Sequence, residues 1–497
     1  MVTISIFDLI SKNENDARVA IAFQDKKITY KELTSLCMRL SKIITSQFES
    51  IKEPIGIFIC GSLDYAVAFF SIIYSNNVVV PLNINMKKSE LMRMLEYLKI
   101  RIIITNKLFY DRLVSLTDAK INIICIKKDF DISFVASNYL VKQFAYKKEL
   151  EDIALILHTS GSFSSPKSVM LTHDNLISCA ASIVKDLKIT DKDVTLVILP
   201  MHYSSAVVSQ FLSHLLVGGT VVFTESIFTP KTLFSNIEKY RVTNFSCVPN
   251  MLVEVLYQID KIKKSNVDSW RYVCFGGAPS SGIKINQLVN YFPDVEFIQT
   301  YGLTEAATRI SHYFEKANVI NNNCVGFQIP NVTFKVIDDC NNDCANGVVG
   351  EIVVKGPNVM KGYYMRHDEN EKVLQNGWLH TGDLGTIDSN GSLYIIGRKK
   401  NVIIRNGENI YPEEIEEVLC EHPAIQEAYV YGLKNSDLDE IIVADVINYP
   451  GMTFDSVNIQ QFCRQRLSNA KVPKEIHCVK QFERTSSGKM LRNKNGG

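Results

Sequence analysis

Residues 55–83, IGIFICGSLDYAVAFFSIIYSNNVVVPLN, decide the fold class of this chain. IGIFIC (55–60) and VVVPLN (78–83) are short apolar runs, and LDYAVAFFSIIYS (63–75) between them has a helical pattern. Continuous apolar strands separated by a helix are typical of parallel sheets with helices on both faces. The stretch therefore predicts a strand, a helix and a second strand parallel to the first.

The same alternation continues to about residue 277. The further apolar runs are RIIIT (101–105), INIICI (121–126), IALILH (153–158), VTLVILP (194–200), TVVFT (220–224) and YVCFGG (272–277). From about residue 333 short strands with polar turns, TFKVID, GEIVVKG and SLYIIGR, favour an antiparallel β-rich subdomain. After Arg398 a highly charged stretch opens a compact α+β unit of about one hundred residues.

These patterns predict an α/β chain with a domain boundary near Lys399–Lys400. We expect a large N-terminal domain over 1–399, built from two parallel-type α/β subdomains and a β-rich subdomain. A small α+β C-terminal domain is expected over 400–497. The chain length of 497 residues agrees with this, since one compact domain holds roughly 100–200 residues.

Composition excludes several classes of function. Hydrophobic residues make up 46% and charged residues 22%, ordinary values for a soluble globular protein. A net charge of +1 gives no bulk field for nucleic acid, and no apolar run approaches the ~20 residues of a membrane span. The N-terminus lacks the pattern of a signal peptide. The 12 cysteines are scattered without a C-x-x-C pair, which favours a reduced, cytoplasmic protein without zinc.

A hydroxyl-rich segment, HTSGSFSSPKSVM (158–170), follows the apolar run 153–157, where α/β sheets place ligand loops. Its candidate anion-binding residues are Thr159, Ser160, Gly161, Ser162 and Lys167. The Walker A pattern is absent. Taken alone, the segment fits a solvated turn as well as a phosphate loop.

Three downstream segments add chemistry. TYGLTEAATRI (300–310) contains Thr304 and Glu305, whose hydroxyl and carboxylate oxygens are the kind of ligand that Mg²⁺ takes alongside substrate phosphates. GWLHTGDLG (377–385) holds Asp383 in a turn, where one carboxylate can accept from both ribose hydroxyls. TSSGKMLR (485–492) carries a single lysine that can neutralise an anion. Individually they also fit a helix cap, a turn carboxylate and a solvated tail.

In this order the motifs resemble those of the adenylate-forming superfamily, which contains acyl- and aryl-CoA synthetases, stand-alone adenylation domains and firefly luciferases. The resemblance runs from a predicted helix, ITYKELTSLCMRLSKII (28–44), to Lys489. Further matching motifs are LPMHYSS (199–205), FGGAPSS (275–281), GEIVVKGPNVMKGYY (350–364) and GRKKNVIIRNGENIYPEEIE (397–416). It implies an ATP-dependent enzyme that joins a carboxylic acid to AMP, releases pyrophosphate and passes the acyl group to a thiol.

The resemblance also implies roles for individual residues. The residues implied over the β- and γ-phosphates are Thr159, Ser160, Ser162 and Lys167, in the loop that also contains Gly161. Those implied at the α-phosphate and Mg²⁺ are Thr304 and Glu305. Those implied around adenine are Gly277, Ala278 and Tyr301, and those at the ribose hydroxyls are Asp383 and Arg398. Lys489 would bridge the substrate carboxylate and the α-phosphate.

For the thiol step, the resemblance implies rotation of a mobile C-terminal domain about a hinge at Lys400. Rotation withdraws Lys489 and brings the loop RNGENIYP (405–412), with Gly407 and Glu408, beside a pantetheine tunnel. His202 matches a position near the acyl carbonyl and the thiol entrance. A packing histidine is the alternative.

The phosphate loop departs from the family pattern T-S-G-T-T-G-x-P-K-G. Ser162 and Phe163 stand where two threonines are common, and Ser164 and Ser168 stand at glycine positions. Glycine permits positive φ and close approach of the backbone to an anion, and serine does so less readily. We expect weaker ATP binding than in a glycine-rich relative.

The substrate is expected to be a fatty or aryl acid. Amino-acid-activating domains carry Asp directly after the position of His202, and this chain has Tyr203, which cannot neutralise a buried ammonium. The thiol acceptor is expected in trans, as CoA or as the phosphopantetheine of a carrier protein. A non-catalytic nucleotide-binding homologue is a remote alternative, and an oxidoreductase fails for want of G-x-G-x-x-G after the first strand.

Overall fold

The computed structural model describes residues 5–12, 16–48, 51–117, 121–127, 132–135, 148–159, 167–224, 228–262, 265–278, 282–314, 323–405, 408–436 and 439–483. The chain divides into two compact units. The first comprises Met1–Phe334 and Val354–Leu379, and the second comprises Lys335–Val353 and His380–Gly497.

The helices are α1 (Asp8–Ser11), α2 (Tyr30–Phe48), α3 (Leu63–Tyr74), α4 (Lys88–Leu98), α5 (Lys107–Leu116), α6 (His173–Leu187), α7 (Ser213–Val217), α8 (Pro230–Tyr240), α9 (Pro249–Tyr257), α10 (Ile259–Ile262), α11 (Gly282–Tyr291), α12 (His367–Val373), α13 (Pro412–Cys420) and α14 (Ser456–Arg464). A π-helix covers Ser205–Leu212, and short 3₁₀ turns cover Lys148–Leu150, Thr304–Ala306, Lys399–Asn401 and Asn469–Lys471.

The strands are β1 (Val19–Phe23), β2 (Lys26–Thr29), β3 (Pro54–Phe58), β4 (Val78–Pro81), β5 (Ile102–Asn106), β6 (Asn122–Ile126), β7 (Ile132–Val135), β8 (Ile153–Thr159), β9 (Lys167–Thr172), β10 (Val194–Val197), β11 (Thr220–Phe223), β12 (Asn244–Cys247), β13 (Tyr272–Gly276), β14 (Glu296–Tyr301), β15 (Ser311–Phe314), β16 (Cys324–Gln328), β17 (Thr333–Ile337), β18 (Gly350–Lys355), β19 (Gly362–Tyr363), β20 (Leu374–Gln375), β21 (Trp378–Ile387), β22 (Leu393–Arg398), β23 (Ile403–Arg405), β24 (Glu408–Ile410), β25 (Ile425–Ser436), β26 (Asp439–Asn448) and β27 (Glu475–Cys478).

The stretch 55–83 lies in the middle of one sheet of the first unit, whose strand order is β19-β9-β8-β4-β3-β5-β6-β7. β3 and β4 pair in parallel with Ile55 opposite Val79, and both strands are buried throughout. Between them α3 begins after Ser62, whose side chain accepts a hydrogen bond from the backbone N–H of Tyr65. The predicted strand–helix–strand unit is confirmed.

The other sheet of the first unit has the order β16-β15-β14-β13-β12-β10-β11-β1-β2. Its strands from β14 to β1 pair in parallel, and β15 and β16 continue it with antiparallel pairs. Buried aromatic side chains of Phe234, Phe245 and Trp270 pack together in its core. Two sheets of mostly parallel strands are what the apolar runs predicted.

Two details differ from the sequence-based expectation. The helix predicted over 28–44 begins at Tyr30 and continues to Phe48, because Ile28 and Thr29 belong to β2, which pairs with β1. Strand β12 escapes a search for apolar runs because its sequence, NFSC, includes two polar residues, although all four positions are buried. Among the described residues, no helix combines the length and the apolar character that crossing a membrane requires.

In the second unit, β17, β18, β21 and β22 lie side by side in that order. Further along the chain β25 pairs antiparallel with β26, and β26 pairs parallel with β27. Buried residues of these strands and of α13 and α14 share one core, which includes Ile415, Val430 and Ile459. This part is the small α+β unit that the sequence predicted. The boundary expected at Lys399–Lys400 falls in the 3₁₀ turn after β22 and stays a prediction.

Candidate active site

Strands β8 and β9 carry the two ends of the predicted phosphate loop. They pair antiparallel, which places Thr159 opposite Lys167. Ser160, Gly161 and Ser162, the other predicted phosphate-binding residues, lie outside the described residues. The structure therefore shows where the loop begins and ends, and the phosphate contacts of all five residues stay predictions.

The side chain of Lys167 contacts two groups that sequence reasoning did not assign to the site. Its Nζ lies 2.8 Å from Oε2 of Glu369 and 4.8 Å from the centre of the Tyr363 ring. Both charged side chains are about one-third exposed, so the ion pair is in contact with water. An ammonium over an aromatic face is attracted by the ring's negative centre. Lys167 is thus held at the start of β9 by a carboxylate and a phenol.

Tyr363 also reaches Glu305, the predicted Mg²⁺ ligand. The Tyr363 hydroxyl donates a hydrogen bond to Oε1 of Glu305 at 2.8 Å, and the backbone N–H of Met360 donates to the Glu305 carbonyl at 2.8 Å. A carboxylate fixed by one bond, next to the hydroxyl-bearing Thr304, is a set of hard oxygen donors that suits Mg²⁺ with substrate phosphates completing its shell. The residues present fit the ion.

The turn that presents Glu305 doubles back tightly. A side chain at Gly302 would place its Cβ 1.8 Å from the carbonyl oxygen of Thr308, so only glycine fits there. Ala307 and Thr308 have φ values of 49° and 102°, in a region that non-glycine residues rarely adopt. Such backbone strain often occurs at functional sites. The sequence YGLTEAAT therefore builds a rigid loop around the carboxylate.

The predicted adenine-binding residues lie at the carboxyl ends of two neighbouring parallel strands. β13 and β14 pair with Gly276 opposite Thr300, and a Cβ at Gly276 would lie 2.2 Å from the Thr300 carbonyl oxygen. Gly277 follows with a φ of +77°, and Tyr301 ends β14. Parallel sheets bind ligands at this edge. Glycines here leave the backbone open to a flat ligand, and the adenine contacts of Gly277, Ala278 and Tyr301 stay predictions.

In the second unit the predicted ribose ligands form a close ion pair. β21 and β22 place Asp383 opposite Arg398, and Arg398 Nε lies 2.5 Å from Oδ1 of Asp383. The carboxylate is only 7% exposed, and the backbone N–H of Asp383 donates to Oγ1 of Thr381 at 3.0 Å. A carboxylate oriented in this way keeps its acceptor atoms in one direction. The pairing agrees with the predicted shared role, and contact with ribose stays a prediction.

His202 lies after β10, in the first unit, and is half-buried. Burial lowers the pKa of its imidazole to about 4. Burial, together with the neighbouring His202, likewise lowers the pKa of His158 to about 4. The His202 ring contacts Tyr203 at a centroid distance of 4.3 Å. The π-helix Ser205–Leu212 that follows is buried from its second residue onward, and π-turns often occur at functional sites.

These two histidines predict that acid destabilises the protein. In the unfolded chain their pKa is near 6.5, so the unfolded state takes up protons first as pH falls. Stability is therefore full above about pH 6.5 and is lost toward pH 4, by up to about 1.4 kcal/mol per pH unit for each histidine. Urea unfolding at pH 7.5, 6.5 and 5.5 measures this. The slope should be smaller in His202→Gln than in a variant of the exposed His367, and stability that rises toward pH 5.5 would contradict the prediction.

Ser168, one of the departures from the family loop, has a partner. Its hydroxyl lies 3.0 Å from Nδ1 of His158, the residue opposite it in the β8–β9 pair. Ser168 is buried and His158 is half-buried, and a buried hydroxyl needs a hydrogen-bond partner. The serine at a glycine position is therefore matched by a histidine across the hairpin. Phe163 and Ser164 lie outside the described residues.

Two single substitutions distinguish the effect of Ser164 from that of Ser168. Ser164→Gly is expected to lower the KM for ATP, because glycine lets the loop backbone approach the phosphates.

Ser168→Gly is expected to lower the free energy of unfolding by about 1–3 kcal/mol, because it removes the hydrogen-bond partner of the His158 imidazole. ATP–pyrophosphate exchange measures the first effect and urea unfolding the second. An unchanged KM in Ser164→Gly, or a more stable Ser168→Gly, would refute the respective prediction.

The remaining predicted residues are placed in part. Lys400 is exposed in the 3₁₀ turn after β22, and Glu408 is exposed at the start of β24, opposite Arg405. Gly407 and Lys489 lie outside the described residues. The hinge, thiol-tunnel and catalytic-lysine roles stay predictions.

Sequence reasoning missed Tyr363 and Glu369. Tyr363 belongs to the quoted motif GEIVVKGPNVMKGYY, so its position was marked without its role. Glu369 belongs to no motif, and nothing in the sequence distinguishes it from neighbouring acidic residues. Both side chains reach Lys167 because β19 pairs with β9 and α12 follows β19 in the chain.

Comparisons with known proteins identify the family of the chain. Residues 10–364 match the family of AMP-binding enzymes, and residues 414–489 match the C-terminal domain of AMP-binding enzymes. A 2-succinylbenzoate–CoA ligase of Bacillus cereus is 28% identical over 490 residues, covering 96% of this chain and 94% of that protein. A feruloyl-CoA synthase of Amycolatopsis is 33% identical over 350 residues, or 69% of each chain.

A solved structure extends the likeness to three dimensions. O-succinylbenzoate coenzyme A synthetase from Bacillus subtilis, in complex with ATP and a magnesium ion, aligns with a TM-score of 0.83 at 26% identity. The alignment covers 98% of this chain and 98% of that one. The likeness therefore spans both parts of the chain that the sequence divided.

Proposed function

The chain belongs to the family of AMP-binding enzymes, and on that premise we propose that its acid substrate is aromatic and lacks an α-amino group. It is an AMP-forming acid–thiol ligase of the adenylate-forming superfamily. It couples a carboxylic acid to ATP as an acyl-adenylate, releases pyrophosphate and transfers the acyl group to CoA. Its cofactors are ATP, Mg²⁺ and CoA, and its partners are small molecules.

Two observations support an aromatic acid. The relatives are named for 2-succinylbenzoate and for the feruloyl group, aromatic acids without an α-amino group. Tyr203, beside His202, offers an uncharged ring where an ammonium would need a carboxylate. A fatty acid, the other substrate class that the sequence allows, has no such support. The requirement for ATP and CoA also supports the cytoplasmic location that the sequence predicts.

The observation that carries the adenylation function is the position of Tyr363. It contacts Lys167 at one end of the phosphate loop and Glu305 in the turn after β14. These two residues come from different sheets of the first unit. One phenol thus brings a cation for phosphate and a carboxylate for a metal ion to the same place, as attack on a nucleotide phosphate requires.

The mechanism follows from charge. A carboxylate that attacks the α-phosphate brings two anions together, so the protein must supply positive charge and exclude water that would hydrolyse the mixed anhydride. Bound Mg²⁺ would neutralise phosphate charge beside Glu305 and Thr304. We assign Lys167 to the outer phosphates, Asp383 and Arg398 to the ribose, and Lys489 to the bridge between acid and α-phosphate.

The second step needs other neighbours around the same carbonyl. We propose that the C-terminal domain turns about Lys400, which withdraws Lys489 and brings Glu408 to the thiol entrance near His202. The exposure of Lys400 and Glu408 is compatible with such a turn.

The experiment is acid-dependent ATP–pyrophosphate exchange with a panel of benzoates, cinnamates, fatty acids and amino acids. We expect exchange with an aromatic acid, followed by thioester formation with CoA. A panel in which only amino acids drive exchange would overturn the substrate proposal. Thioester formation with a phosphopantetheinylated carrier protein and not with CoA would reassign the acceptor.

A further inference from the structure

The Lys167 ammonium forms an ion pair with a carboxylate of the protein. Its Nζ lies 2.8 Å from Glu369 Oε2, well within the range of an ion pair. The ammonium therefore lies against the Glu369 carboxylate. ATP, which carries several negative charges, has to offer that lysine a better partner.

Glu369 is held in place by its helix. The next residue, Asn370, accepts a hydrogen bond from the Tyr363 N–H at 2.6 Å and donates one to the Tyr363 carbonyl at 3.0 Å. These two bonds tie α12 to β19, and β19 pairs with β9, which Lys167 begins. The carboxylate is thus fixed beside the lysine by backbone structure.

We propose that Glu369 competes with the nucleotide for Lys167 and so sets the affinity for ATP. The proposal rests on the phosphate-binding role of Lys167 in the proposed function. The pair is about one-third exposed on both sides, and exposed ion pairs are weak, so phosphate can displace the carboxylate. One ammonium cannot neutralise both anions. The nucleotide must therefore displace the carboxylate before it can use the lysine, and that displacement lowers its affinity.

Charge near Glu369 agrees with this arrangement. Arg366 Nη1 lies 3.8 Å from the other oxygen of Glu369, so the carboxylate keeps a cationic neighbour when Lys167 leaves. The pairing with Arg366 therefore stabilises the Glu369 carboxylate once Lys167 has turned to the phosphate. Glu369 is therefore a positioning residue that acts through Lys167, and it is not expected to touch the reacting atoms.

The test is Glu369→Gln in the full-length chain, with Asp368→Asn as matched control. Asp368 is the preceding residue, is exposed and has the same charge, and no role in the site is assigned to it. In pyrophosphate exchange at saturating acid, Glu369→Gln should lower the KM for ATP about two- to fivefold. The KM for the acid should not change, and the control should match the wild type.

A double-mutant cycle makes the test specific. If Glu369 acts through Lys167, Glu369→Gln has no effect on the KM for ATP in a Lys167→Met background. A higher KM in Glu369→Gln, or an equal effect in both backgrounds, would overturn the proposal.

Failure of the proposed function is distinguishable from failure of this inference. A wild-type chain that supports no acid-dependent exchange contradicts the proposed function alone. The competition is then measured by calorimetric titration with Mg-ATP. Tighter binding to Glu369→Gln than to the wild type supports the inference, and equal or weaker binding refutes it.

Discussion

Lys489→Ala is expected to reduce acyl-adenylate formation by about 10²–10³-fold, the scale on which loss of one electrostatic stabiliser of a developing charge is measured. The lysine would neutralise the approach of two anions, and no other residue proposed for the site bridges acid and α-phosphate. Conversion of preformed acyl-adenylate to the CoA thioester should stay close to the wild-type rate, because the proposed domain turn would remove Lys489 from the site for that step.

Single-turnover assays of the two half-reactions measure this difference. Lys480→Ala is the matched control, since Lys480 is an exposed lysine of the same part of the chain. Loss of both half-reactions in Lys489→Ala, with a normally folded protein, would contradict domain alternation.

Glu305→Gln is expected to lower kcat/KM for adenylation by about 10²-fold or more, because the amide keeps the shape of the side chain but cannot supply a charged oxygen to Mg²⁺. The hydrogen bond from the Tyr363 hydroxyl can still be made to the amide oxygen, so folding should be little affected. The Mg²⁺ concentration for half-maximal exchange should rise in the variant.

The control for this prediction is Glu371→Gln, an exposed glutamate of α12. Tyr363→Phe should show a smaller loss than Glu305→Gln, because it frees the carboxylate without removing it. Exchange activity in Glu305→Gln equal to that of the control would remove Glu305 from the metal site.

Much of the fold was predictable because parallel strands buried on both faces must be apolar along their length. The run 55–83 shows this, and β3, α3 and β4 follow it closely. β12 was not predictable by the same rule, because two of its four buried residues are polar. The pattern reports burial in apolar surroundings and misses strands whose polar side chains find partners inside.

Site residues were predictable where one short motif supplies both the turn and the functional side chain. YGLTE fixes a turn and a carboxylate within a few residues, and Glu305 is indeed presented by that turn. The bond from Tyr363 to Glu305 joins residues 58 positions apart. No local pattern encodes such a contact, since it depends on the path of the chain between them. The ion pair of Glu369 with Lys167 and the contact of Ser168 with His158 likewise could not be read from a local sequence pattern.

The short strand β19 has a consequence for how such a loop can change over time. It pairs with β9 at Val169 and Met170, just after Lys167, while β8 pairs with Lys167 itself. The β8–β9 hairpin therefore fixes the positions of the two loop ends, and we expect it to accept loops of different composition between them. A designer could graft a glycine-rich loop onto the same two ends and retune the enzyme for another nucleotide concentration.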